Sequence, residues 1–281
     1  MTAATIVVLP DPEACSLAAA ERVVEALDVA IETRGIAHWA TTGGSAPGGI
    51  YASLRVAPLR DAIDWRRVHL WWTDERFVPH DHRLSNAKIA LDLLLEAGSY
   101  SGESGTGTYG IDILSGHHAG IAMPSENLHA IPTGLAIGAG ETPAWCAERY
   151  VEALRDEGPA PAPNGFPAFD LVLLGVGPDG HILSVFPGSA SLGSEAWALG
   201  VPAPTHVEPH VARITLNPAV VEAARTALVV STGAGKAEIL RDVLADGGNP
   251  ADLPAKLANR PGATWILDAP AASLLPVRSG A

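Results

Sequence analysis

The strongest constraint on this chain is a rhythm: short apolar runs alternate with amphipathic stretches from the first residues almost to the last. Thr5-Leu9 precedes Ser16-Thr33, Ile36-Ala40 precedes Gly48-Val56, and Arg67-Trp72 precedes Asn86-Leu95. The second half resumes it, with Phe169-Leu174, Val211-Leu216 and Ala227-Val230 as strands, Lys236-Leu244 as a helix and Trp265-Leu267 as a last strand. This order predicts an α/β fold: a doubly wound, mostly parallel sheet with helices on both faces. With 281 residues, 47% of them apolar and 17% charged, one large core is expected, a single domain over 1–281. The Gly- and Ser-rich Ser99-Ser125 interrupts the rhythm and reads as a surface insertion over about 98–125, and Pro159-Pro167 as a second connection.

Charge and cysteine usage narrow the partners. Eighteen basic against 31 acidic residues leave −13, which repels nucleic acid and anionic membranes, so neither is an expected partner. No apolar run reaches the length of a membrane span. The opening MTAATIVVLPDP lacks the basic start and long apolar run of a secretory leader, and Cys15 and Cys146 stand far apart. A reducing, cytoplasmic setting is therefore expected. His80-Asp81-His82 has no third ligand at defined spacing, so no metal and no cofactor are expected.

In a doubly wound sheet, ligands sit beyond the carboxyl ends of the strands. The unusual residues lie there. Gly43-Gly44-Ser45 follows a strand and opens a helix, where main-chain N–H groups can hold a phosphate, although a tight turn with a serine cap would read the same. Pro47 stands where a nucleophile elbow needs glycine. Asp74-Glu75-Arg76 follows Val68-Trp72 and is either a solvated turn or a polar site. Gly175-Val176-Gly177-Pro178-Asp179-Gly180 fits the dinucleotide fingerprint only formally, since Asp179 would oppose a pyrophosphate and Pro187-Gly188 cut the required helix short. Next in line, His181 is a candidate general base on a glycine-loosened loop. Arg213 in VARITL and Lys236 after Gly233-Ala234-Gly235 are cations suited to a phosphate dianion, while Val230 and Ala237 break a Walker A pattern.

Taken jointly, Gly43-Gly44-Ser45, Trp72-Thr73-Asp74-Glu75-Arg76, Gly177-Pro178-Asp179-Gly180-His181, Phe186-Pro187-Gly188, Arg213-Ile214-Thr215 and Gly235-Lys236 resemble the glucosamine-6-phosphate isomerase/6-phosphogluconolactonase family, on its lactonase side. The resemblance runs from about Ile36 to Leu244. It implies the glucosamine-6-phosphate deaminase/ribose-5-phosphate isomerase-like fold. The implied reaction is metal-free hydrolysis of 6-phospho-D-glucono-1,5-lactone to 6-phosphogluconate, in the oxidative pentose phosphate pathway. His181 would activate water, with Asp179 or Asp74 orienting it. Gly43, Gly44, Ser45, Arg213 and Lys236 would hold the phosphate, and Arg76 would serve there or at the oxyanion.

The alternatives are a deaminase or isomerase of the same fold and a non-enzymatic sugar-phosphate-binding protein. Deaminases continue the histidine loop into Asn-Glu-Pro-Gly with a catalytic glutamate, whereas this chain has Val185-Phe186-Pro187-Gly188. The chain departs from the lactonase pattern at Ala46, where threonine is usual, at Ile182-Leu183, where Thr-Ala is more frequent, and in a longer segment from Gly98 to Gly120.

Overall fold

The computed structural model describes residues 4–44, 46–95 and 120–276; Ser45 and most of the expected insertion lie outside the described residues. The chain opens with β1 (Thr5–Leu9), α1 (Pro12–Arg34), β2 (Ala37–Thr41), α2 (Ala46–Leu54), β3 (Val68–Trp72), β4 (Asp74–Arg76), α3 (Asn86–Leu93) and β5 (Leu128–His129). It continues with α4 (Thr133–Ala139), α5 (Pro143–Glu157), β6 (Leu171–Leu174), β7 (Ala198–Val201), β8 (Arg213–Leu216), α6 (Ala219–Ala223), β9 (Thr226–Ser231), α7 (Ala237–Leu244) and β10 (Ala263–Asp268).

Among the described residues, seven strands form one parallel sheet in the order β1-β10-β9-β6-β2-β3-β5. From β2 the chain steps outward to β3 and β5, and from β6 it steps the other way to β9 and β10. Right-handed crossovers taken in opposite senses put the connecting helices on opposite faces and open a crevice where the senses diverge, between β2 and β6. Both strands flanking that point are buried along their whole length, as a strand covered on two faces must be.

Local chemistry explains the elements. Helix α1 starts where the Asp11 side chain accepts from Ala14 N–H at 2.8 Å, with Pro12 in the first turn, and stops at Gly35. Cys15, Ala19, Val23, Leu27 and Ala30 share one buried face at helical spacing. Each large apolar side chain removed from water contributes about 1.5–3 kcal/mol, and the sheet interior holds Trp39, Trp71, Trp72 and Trp265 fully buried.

Three histidines lie among these aromatics. Parallel register pairs His38 with His69 and Trp71 with His129. The His129 ring stacks on Trp71 with centroids 3.8 Å apart, and His69 Nδ1 lies 2.9 Å from His129 Nε2. Burial pushes His38 and His129 down to about 3.

One expectation needs correction. The Val211-Leu216 run is not a strand of the doubly wound sheet: its strand, β8, lies in a separate antiparallel sheet of order β4-β8-β7. The Asp74-Glu75-Arg76 stretch, readable as a solvated turn, is the edge strand β4 of that sheet. Its carboxylates are buried because donors converge on them. Glu75 accepts from Arg76 N–H, Asn86 N–H, Ala87 N–H and the Ser85 hydroxyl, all within 2.7–2.9 Å. Burial still pushes its carboxyl up.

Candidate active site

A cavity of about 410 Å3 opens at the carboxyl ends of β2 and β6, where the chain changes direction. Its wall includes Gly43, Gly44, Asp74, Arg76, His181, Arg213 and Lys236, so that all of these predicted residues share one space. Ser45 lies outside the described residues.

Strand β6 ends at Leu174 and the chain turns through Gly177-Pro178-Asp179-Gly180 into His181. The loop is closed by Gly177 N–H to His181 O at 2.9 Å and Gly180 N–H to Gly177 O at 3.1 Å. A Cβ on Gly177 would stand 2.0 Å from His181 Nδ1, so glycine is required for the imidazole to fold back over the loop. A similar closeness holds at Gly43, where a Cβ would meet Asn86 Oδ1 at 1.8 Å.

The two aspartates offered as orienters have different partners. Asp179 Oδ1 lies 2.5 Å from His181 Nδ1 and also accepts from His181 N–H at 3.3 Å. Its Oδ2 lies 2.9 Å from His206 Nε2. Burial pushes the Asp179 carboxyl up, but the His181 and His206 bonds outweigh it and hold the group well below the usual carboxylate range. Because an ionised carboxylate only accepts, Nδ1 of His181 carries the proton and Nε2 is left as the basic nitrogen. Asp74 instead accepts from the Ser184 hydroxyl at 2.6 Å and from Asn86 Nδ2 at 3.2 Å.

Leu183 adopts φ 55, a left-handed conformation unusual for a branched side chain, within a turn closed by Val185 N–H to Ile182 O. Ser184 then joins the loop to the small sheet, its hydroxyl on Asp74 and its N–H donating to Thr215 Oγ1 at 3.2 Å. Of the two departures here, Ile182 faces the core and is fully buried, while Leu183 lines the cavity.

Three cations line the same cavity. Arg76 and Arg213 are register partners across β4 and β8. Arg213 is 2% exposed, its guanidinium donating to Val211 O and Pro209 O, with Phe186 5.8 Å beneath it. Arg76 Nη1 donates to Leu84 O at 2.8 Å, and its buried Nε has no partner among the described residues. Lys236 Nζ donates to Val176 O at 2.7 Å. Among the described residues, the hydrogen bonds of all three go to main-chain carbonyls and none to a carboxylate. Burial lowers the pKa of Arg213 and of Lys236, the direction expected of cations taken from water.

Sequence reasoning missed Asn86, which lines the cavity from the first turn of α3, and His206. Only a Ser85 cap signal marked the former, and nothing local marked the latter. His80 and His82 take other partners: His80 Nε2 lies 2.8 Å from Ile131 O, and His82 Nδ1 accepts from Leu84 N–H.

Comparison with known proteins points the same way. The family model described as glucosamine-6-phosphate isomerases/6-phosphogluconolactonase matches residues 10–266. A 6-phosphogluconolactonase of Streptomyces coelicolor is 30% identical over 272 residues, covering 96% of this chain and 94% of that protein. One of Mycobacterium tuberculosis is 32% identical over 275 residues, covering 97% and 98%. Among solved structures, the 6-phosphogluconolactonase of Trypanosoma brucei superposes with a TM-score of 0.77 at 27% identity, covering 97% of this chain and 99% of that one.

Proposed function

Because the chain belongs to the glucosamine-6-phosphate isomerase/6-phosphogluconolactonase family, we propose that it hydrolyses 6-phospho-D-glucono-1,5-lactone to 6-phospho-D-gluconate with His181 as general base. The observation that carries this reading is that His181, held by Asp179, lines one cavity together with Arg76, Arg213 and Lys236. A base and a phosphate grip are what a phosphorylated lactone needs.

Nε2 of neutral His181 takes a proton from water as the oxygen attacks the C1 carbonyl, and the carbonyl electrons move to the oxygen. Asp179 holds the ring by Nδ1 and stabilises the imidazolium that forms. When the tetrahedral intermediate collapses, the C1–ring-oxygen bond breaks, and the proton on His181 passes to the departing oxygen as the new hydroxyl. The 6-phosphate lies between Arg76 and Arg213, with Lys236 completing its charge. Charge-assisted bonds of this kind are about twice as strong as neutral ones. Gly43 and Gly44 offer main-chain N–H groups beside them. Asp74 acts through Ser184 and Asn86, and its role is to fix the loop.

Phe186 supports lactone opening over deamination. It packs 4.8 Å from the His181 ring, where an acidic side chain would be needed for the deaminase reaction. The purified protein is therefore expected to open the lactone and to release no ammonia from glucosamine 6-phosphate. His181→Asn should lower lactone turnover about a hundredfold or more while leaving the melting curve intact. A folded variant as fast as wild type removes His181 from the role of base.

A further inference from the structure

Asp179 is shared. One carboxylate oxygen faces His181 Nδ1, and the other is 2.9 Å from Nε2 of His206, a residue 27 positions further along. A carboxylate bonded through one oxygen alone can turn about its Cβ–Cγ bond, whereas donors on both oxygens fix its plane. His206 reaches Asp179 from the segment between β7 and β8. That same segment supplies the Pro209 and Val211 carbonyls that receive the Arg213 guanidinium. The edge of the His206 ring also packs on Phe186, at 5.7 Å and 81°, and Phe186 lies against the His181 ring. The two imidazoles therefore share one acceptor and one wall.

The titratable and charged groups around His206 are Asp179 in direct contact, His181 through Asp179, Glu208 on its own segment and Arg213, whose guanidinium lies 5.8 Å from the Phe186 ring; Lys236 acts on the same carboxylate. The His206 side chain is half exposed, at 51%, so the core does not depend on it.

We infer that His206 is a positioning residue of the lactonase reaction: it holds the second oxygen of Asp179 so that the first stays on the ring of the base. The inference rests on His181 being the base, as proposed above. It also links the phosphate grip to the base, since one segment seats both Arg213 and Asp179.

The test compares His206→Ala, His206→Gln and, in parallel, His181→Asn, each assayed on 6-phosphogluconolactone across pH. Loss of one bond to a charged group should lower kcat about tenfold in His206→Ala, with KM within about twofold. Glutamine keeps an N–H donor of similar reach and should restore kcat to within about threefold of wild type. With one donor fewer, Asp179 leaves more negative charge on His181. The acid limb of the pH profile should accordingly move to higher pH in the alanine variant and return in the glutamine variant. An alanine variant with unchanged kcat and acid limb overturns the inference. So does a glutamine variant as impaired as the alanine one, or an effect confined to KM, which would make His206 a substrate contact. If His181→Asn keeps wild-type turnover, the base assignment fails first and this inference with it.

Discussion

Arg76 and Arg213 stand directly opposite each other across β4 and β8, two like charges on register partners whose hydrogen bonds go to main-chain carbonyls. Like charges so placed destabilise a strand pair, and an anion between them turns repulsion into attraction. Inorganic phosphate is therefore expected to raise the melting temperature of the wild type, and to raise it less in Arg213→Ala. Equal shifts in both would put the anion elsewhere.

The same pair separates recognition from chemistry. In a protein carrying −13 overall, a phosphate dianion must be bound by local contacts. Losing one buried partner of such a contact costs roughly 2–5 kcal/mol. Arg213→Ala and Lys236→Ala should each lower kcat/KM for the phosphorylated lactone more than tenfold, yet change little on unphosphorylated gluconolactone. Equal losses on both lactones would move these residues to the reacting carbonyl.

Gly177→Ala tests the loop without removing a functional group. The added Cβ would overlap His181 Nδ1, so the imidazole must leave Asp179. Turnover should fall about as far as in His181→Asn, roughly a hundredfold, with the fold retained in circular dichroism. Activity near wild type would mean that the base works from another orientation.

Acid should act on the buried histidines. Unfolded histidine titrates at about 6.5, whereas burial holds His38 and His129 at about 3 in the fold. Between those values the unfolded chain binds protons that the folded one refuses, so stability falls as pH falls, by up to about 1.4 kcal/mol per pH unit per histidine. His129→Phe keeps the stack on Trp71 and removes one such group. It should lose less melting temperature than wild type between pH 7 and pH 5, and an identical loss would show that His129 does not carry the effect.

Among the described residues no group of three or more His, Cys, Asp or Glu side chains is placed to hold an ion. Because the proposed base takes its proton directly from water, exhaustive chelation is expected to leave lactone turnover unchanged. Loss of activity that a divalent ion restores would overturn this.

The parallel sheet was legible because its strands are buried on both faces and separated by helices with their own periodicity. β1 has the bounds read from the sequence, and β3 and β9 differ by one or two residues. The small sheet was not legible in the same way. Strand β4 is three charged residues, and what buries them, the Ser85 hydroxyl and the first N–H groups of α3, lies about ten positions later. Strand β8 was read as a strand, but pairing direction has no signature in four residues. Helices α4 and α5 follow the Gly- and Ser-rich stretch and were passed over, although Thr142-Pro143 is a start signal and Thr142 does cap α5. Within the site, glycine spacing marked the loop around His181. Nothing local marked His206, since its meaning comes from a contact with a residue 27 positions earlier.

The base is mounted on the large sheet and two of the cations on the small one, with Ser184 bonded to both Asp74 and Thr215 at the join. On the proposed reading, a lactone gripped at its phosphate by one sheet and attacked at C1 from the other is a strut between two bodies, and its reach is set by how they abut. Loosening the Ser184 join would misalign the reaction without altering any group that takes part in it. The rate then belongs partly to a seam in the architecture, as the aim of two instruments on separate mounts belongs to the bolt between them.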